Sequence, residues 1–298
     1  MQSVRGKNLL LFHFIVLLFG FTSVLGALIS VSALPLVIYR MGLAAIGLAL
    51  FFLIFHPNYF YLPKRLWGQV ILGGVVIGVH WVTFFYAIKI AGVSLALSMM
   101  ATGALITAIL DPLFNRRKIL GYELIFGGLT TIGIFLIYQA EFEHILGISI
   151  ALLSAFLSSL FTVLNRNMVV KAKAITLSFY ELAVGFIVGL LVTFFSDEIT
   201  IQSFELKEYD IIWIFILAFL CTSYAFNISI KVMRHLSSFT IMMAISLEPI
   251  YGIILSLLIW NEKEYLSLNF YVGFLIVISS ILMNGINKFK KEAQKKQT

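Results

Sequence analysis

Residues 62–118 read LPKRLWGQVILGGVVIGVHWVTFFYAIKIAGVSLALSMMATGALITAILDPLFNRRK. Two apolar runs lie between basic gaps, Lys64 and Arg65 before them and Arg116, Arg117 and Lys118 after. Only Lys89 marks the turn between the runs. The pattern extends outward in both directions: basic residues recur at Arg5 and Lys7, at Arg166, Lys171 and Lys173, at Lys231 and Arg234, and at Lys288, Lys290, Lys291, Lys295 and Lys296. Of the 21 Lys and Arg residues, only Arg40, Lys89, Lys207 and Lys263 fall elsewhere. Basic residues thus occupy every second gap between ten apolar stretches, and the positive-inside rule places those gaps and both termini in the cytoplasm. Glu141, Glu143, Asp197, Glu198, Glu205, Glu208, Asp210, Glu262 and Glu264 mark the opposite side.

A hydrophobic fraction of 61% with 12% charged residues excludes an ordinary soluble domain, which carries about 25% charged. The pattern predicts spans at about 9–29, 33–55, 67–89, 92–114, 118–138, 146–170, 175–195, 210–231, 236–260 and 268–287, each near the ~20 residues a bilayer requires. They are too long and too uniformly apolar for barrel strands, so the expected class is an all-α integral membrane protein. Trp67, Trp213, Trp260, Tyr59 and Tyr61 fall at span ends, as interfacial aromatics do; Trp81 lies mid-span. The net charge of +7 is explained by orientation and anionic lipid rather than nucleic acid. Cys221 is the one cysteine and allows no disulfide framework. The N-terminal run resembles a secretory signal, but the charge pattern favours an uncleaved first helix.

The chain also repeats itself. Phe179-Tyr180-Glu181-Leu182-Ala183 echoes Ile38-Tyr39-Arg40-Met41-Gly42, Met242-Met243 echoes Met99-Met100, and Gly273 answers Gly128. These shifts bring the first five spans onto the last five, dividing the chain into 1–140 and 141–298. Five is odd, so the second copy enters the membrane from the other side. The expected architecture is ten transmembrane helices as two inverted five-helix repeats, a transporter design with its site at mid-membrane.

Arg40 early in the second span, Phe85-Tyr86-Ala87-Ile88-Lys89 followed by Ser94-Leu95-Ala96, and Glu248-Pro249 continuing through Trp260-Asn261-Glu262 to Gly273 make the chain resemble a known family. It looks like the EamA (rhamnose-transporter-like) branch of the drug/metabolite transporter superfamily. The family pattern also has Pro in the fourth span and Glu just after it, where this chain has Gly103-Ala104 and Arg116-Arg117. The resemblance implies transport of a metabolite such as an amino acid or related compound, often export, with no cofactor.

Candidate pathway residues follow from the cost of polar groups in hydrocarbon. Glu248, near the middle of its span, is a candidate proton carrier or counter-ion for a substrate ammonium, and Pro249 withholds a backbone donor that predicts a kink. His80 and Trp81 either line a pocket for an amphipathic solute or serve as a satisfied histidine and core packing. Arg40 and Glu181 occupy matching positions in opposite orientations, so they are not expected to pair; each either snorkels to its interface or lies in a gate on its own side. Asn165, Tyr224 and Asn227 add polar candidates toward the cytoplasmic half. Arg166 and the run 116–118 are expected to be orientation charges. Gly185-x-x-x-Gly189, and Gly127-Gly128 with Gly273, suit close helix contacts.

No Walker-type motif is present, and no nucleophile–base pair or metal constellation points to an enzyme. The expected function is a secondary carrier of the cytoplasmic membrane working by alternating access, proton-coupled through Glu248 or driven by the solute gradient. Its expected partners are a small-molecule substrate and the lipid bilayer, with a homodimer left open and no nucleic acid. The competing classes are a sensory or structural membrane protein and an intramembrane enzyme.

Overall fold

The computed structural model describes residues 2–138, 145–196, 199–260 and 268–294. Among the described residues all regular structure is helical: α1 (Gln2–Leu28), α2 (Ala33–Phe55), α3 (Trp67–Met100), α4 (Gly103–Asn115), α5 (Gly121–Tyr138), α6 (Ile145–Met168), α7 (Ala174–Phe194), α8 (Asp210–Ala218), α9 (Ala225–Val232), α10 (Ser238–Ile245), α11 (Glu248–Trp260) and α12 (Leu268–Gln294). Asn261, Glu262, Lys263 and Glu264, the acidic residues Glu141, Glu143, Asp197 and Glu198, and Lys295 and Lys296 lie outside the described residues, as do the side chains of Arg5, Trp260, Lys288, Lys290 and Lys291.

Among the described residues seven helical segments are long and apolar enough to cross a membrane, and Gly121–Ile137 and Tyr271–Asn287 are shorter apolar helices. Their outer faces expose Leu10, Phe55, Ile187, Phe194 and Leu275. An apolar surface this extensive is what lipid solvates and water does not.

Three predicted spans are not simple helices. α3 joins the third span to the start of the fourth through Gly92, whose φ of 83° and ψ of 163° lie in a region essentially reserved for glycine. The fourth and ninth spans are each interrupted near their middle. At 101–102 the Thr102 amide donates to the Met99 carbonyl (3.0 Å), and at 246–247 the Leu247 amide donates to the Ala244 carbonyl (3.0 Å). The two tightened turns occupy matching places in the repeats. Pro249, with no N–H, accounts for the second; the first has no proline, and Gly103, a weak helix former, begins α4 there. The eighth span contains a π-helical turn at Phe219–Tyr224 between α8 and α9.

Packing follows the repeat. α1 packs on α11 and α6 on α4, while α2 packs on its counterpart α7 and α5 on its counterpart α12. α5 and α12 cross at Gly133 and Gly273, where a side chain on either residue would strike the other's carbonyl. This corrects the close helix contact expected at Gly128, which faces open space, whereas Gly127 packs on Leu105. Gly185 of α7 seats Met41 and backs onto Gly74 and Gly78 of α3, while Gly189 meets Ile38 of α2.

The basic run at 116–118 is more than an orientation signal. Arg117 bridges the carboxylates of Asp111 (2.7 Å) and Glu123 (2.6 Å), tying the end of α4 to the start of α5. Burial opposes its charge, but these two bonds hold the guanidinium above its ordinary range.

Gly92→Val is expected to cost on the order of 1–3 kcal/mol and to lower the thermal unfolding midpoint in detergent. Gly128→Ala, set in open space, leaves that midpoint unchanged or raises it.

Candidate functional site

Arg40 of α2, His80 and Trp81 of α3 and Glu248 at the start of α11 line one cavity. Met100, Ile245 and Glu248 bring both helix interruptions to its wall. Thr22, Ser158, Thr162 and Ser229 add hydroxyls, and Phe12, Phe19, Phe84, Phe161 and Phe226 make most of the rest apolar. A mostly apolar recess with a few converging polar groups is the usual form of a small-molecule site.

Arg40 is 2% exposed, so it does not snorkel. Its guanidinium carbon sits 3.7 Å from the Trp81 ring centroid, and its Nε donates to Thr222 Oγ1 at 2.7 Å. The Thr222 hydroxyl in turn donates to the Leu217 carbonyl at 2.7 Å, a reach of five residues that the π turn sets. A desolvated cation over an indole is worth roughly 2 kcal/mol, but the ring accepts no full complement of hydrogen bonds. Arg40 Nη1 is buried with no hydrogen-bond partner among the described residues.

Trp81 is thus a platform for a cation rather than core packing alone. Its outer edge meets Phe226 at 5.4 Å, and Phe226 stacks on Phe161 at 5.3 Å. His80 Nδ1 lies 2.9 Å from both the carbonyl and the hydroxyl of Ser154. That anchor fixes the ring, which lines the cavity.

Glu248 is buried at 7% exposure. It lies close enough to Arg40 for the charges to attract, yet among the described residues the two form no ion pair and no side chain donates to the Glu248 carboxylate. Pro249, beside it, is also buried. The cavity therefore holds a guanidinium and a carboxyl group that do not satisfy each other. Such an arrangement is costly in the absence of a ligand and suits one that carries its own charges.

A sequence model of the EamA-like transporter family matches the chain twice, over residues 7–139 and 145–286. The chain belongs to the EamA-like transporter family. The two matches meet between α5 and α6, so the chain is built of two EamA-like copies, and membrane transport is its functional class. No curated protein matches it. Among solved structures 27 chains match this EamA-like protein. One, described as "Crystal structure of protein", is similar over 93% of this chain and 96% of its own length, with a TM-score of 0.74 at 13% identity. At that identity the likeness is one of fold.

Not every candidate reaches the EamA-like cavity. Glu181 is fully buried but points elsewhere: its Oε1 accepts from Asn165 Nδ2 at 2.7 Å, and it packs against Gly73. Glu181 Oε2 and Asn165 Oδ1 have no partner. Tyr224 is 43% exposed on the outer side of the π turn, and Asn227 does not line the cavity. Arg166 is partly buried and donates to the Leu236 carbonyl at 3.3 Å.

Thr22, Ser158, Thr162, Thr222 and Ser229 were not among the sequence candidates. A signal existed for two of them, since Ser154, Ser158 and Thr162 recur every four residues and mark one face of α6.

Asn165→Leu removes the donor to the Glu181 carboxyl and should cost roughly 1–3 kcal/mol, read as a lower thermal midpoint in detergent. Glu181→Gln, which keeps an acceptor for Asn165, should be tolerated.

Proposed function

We propose that this protein is a secondary carrier that moves a small organic solute, such as an amino acid or a related compound, across the cytoplasmic membrane by alternating access. One observation carries the reading: a buried guanidinium with an unpartnered Nη1 and a buried carboxylate share a single cavity without pairing. A zwitterion would complete both, its carboxylate toward Arg40 and its ammonium toward Glu248, with its apolar part against Trp81 and the phenylalanines. His80 and the hydroxyls of Ser158 and Thr162 supply orientation.

The proposed topology has ten crossings, two inverted five-helix repeats divided near residue 140, and both termini cytoplasmic. Each repeat contributes one interrupted helix to the cavity, the feature that lets half-helix ends and loosened carbonyls meet a solute. Their packing partners, α1 on α11 and α6 on α4, interchange under the repeat. Two such arrangements related by symmetry can alternate by rocking one set of helices against the other.

Glu248 is the proposed proton carrier. A carboxylate at the N-terminus of α11 is favoured by the exposed amides there, while its apolar surroundings oppose the charge. Solute binding and proton binding thus compete for one group.

A sensory or structural membrane protein has no need of a solute-accessible cavity. In reconstituted vesicles screened with amino acids, sugars and organic cations, a proton gradient should drive uptake or release of one class. Glu248→Gln should abolish the pH-driven component while solute binding partly survives; unchanged pH dependence would remove the coupling role.

A further inference from the structure

A second recess opens on the face that carries the basic gaps. It is formed by the ends of α4, α6 and α9 and the start of α3, and Arg166, Lys171 and Arg234 line it beside Gln69, Asn115 and Asn167. Arg234 spends its Nε and Nη2 on the carbonyls of Val169 and Ala172. Arg166 spends only its Nε. Among the described residues its lining includes no carboxylate.

One side chain belongs to both linings. Met233, just past α9, is a wall of the central cavity and of this basic recess alike, and it is only 3% exposed. The thioether of Met233 thus touches both the cavity that holds Arg40 and Glu248 and the cationic recess. Methionine, unbranched and with three rotatable bonds, clears such a path by changing rotamer.

We propose that the recess is the inner mouth of the transport pathway, a collecting site for the anionic end of the solute, and that Met233 is the plug between it and the central cavity. This rests on the carrier reading above and extends it: the solute carries a carboxylate or another anionic group, and it passes the plug with that end drawn first by Arg166 and Lys171. A recess lined by one sign of charge concentrates counter-charged solutes and raises their entry rates by about tenfold or more.

The chain's one cysteine is buried, so Cys221→Ser provides a silent background in which Ser229→Cys reports from inside the cavity. Sulfonatoethyl and trimethylammonioethyl methanethiosulfonate, applied to the basic face of oriented vesicles, differ in charge and little in size. The anionic reagent should modify Ser229→Cys roughly tenfold faster than the cationic one. Arg166→Gln with Lys171→Gln should bring the ratio toward one, and Arg166→Lys with Lys171→Arg should keep it. Met233→Trp should slow both reagents at least tenfold, Met233→Ala should speed both, and Met233→Leu should leave both unchanged.

A charge ratio indifferent to residues 166 and 171, or rates indifferent to residue 233, overturns the proposal. So does a Ser229→Cys that stays unmodified even with Met233→Ala. Solute flux in the same vesicles keeps the two readings apart. Flux with charge-indifferent labelling removes this mouth alone, whereas charge-selective labelling without flux of any solute keeps the mouth and removes the carrier.

Discussion

A guanidinium lying on an indole ring, deep between helices, is the contact on which the rest of the site depends. Arg40 is almost wholly buried, and α2, α3 and the α8–α9 segment converge to hold it: Trp81 from beneath, Thr222 from the side. That convergence shapes the cavity. The glycines of α3 and α7 make it possible, because Gly74, Gly78 and Gly185 bring the two backbones together and so turn the next residues of α3, His80 and Trp81, toward the centre. The arrangement supplies the charge with a face and one acceptor, and leaves one nitrogen unpartnered.

The two interruptions matter because they occur at matching places for different local reasons. In the second repeat the proline ring forbids a backbone donor. In the first, glycine and two residues of tightened turn give the same hydrogen-bond slip without a proline. Equivalent geometry from unlike residues indicates that the position of the interruption, rather than its chemistry, is what the fold requires. Both interruptions reach the cavity, which therefore has a break in the helix on two walls.

The fold was largely legible in the sequence because bilayer thickness and charge sidedness act on every span at once. The four residues brought together in the cavity, Arg40, His80, Trp81 and Glu248, were legible for a related reason: polar or bulky amphipathic groups in mid-span are costly enough to stand out. The same signal could not say what a buried charge faces. Glu181 is as conspicuous as Glu248, yet it is sealed against Asn165 and Gly73, because orientation about a helix axis is decided by neighbours that one sequence does not display. Hydroxyls escaped notice for the opposite reason. Ser158, Thr162 and Thr222 cost little in a helix, since each can return a hydrogen bond to its own backbone. The interruption at 101–102 and the turn at Phe219–Tyr224 left no proline to announce them, and Gly128 drew attention that belonged to Gly133.

The π turn has a bearing on how this wall can change over time. It holds one residue more than an α turn would, so everything after Tyr224 is rotated by about 100° relative to an uninterrupted helix. That offset brings Phe226 and Ser229 round to the cavity and leaves Tyr224 outside. Removing any one residue between Phe219 and Tyr224 would swing the whole of α9, and Met233 just beyond it, off its bearing. Substitutions there alter a surface, while an insertion or deletion alters the compass.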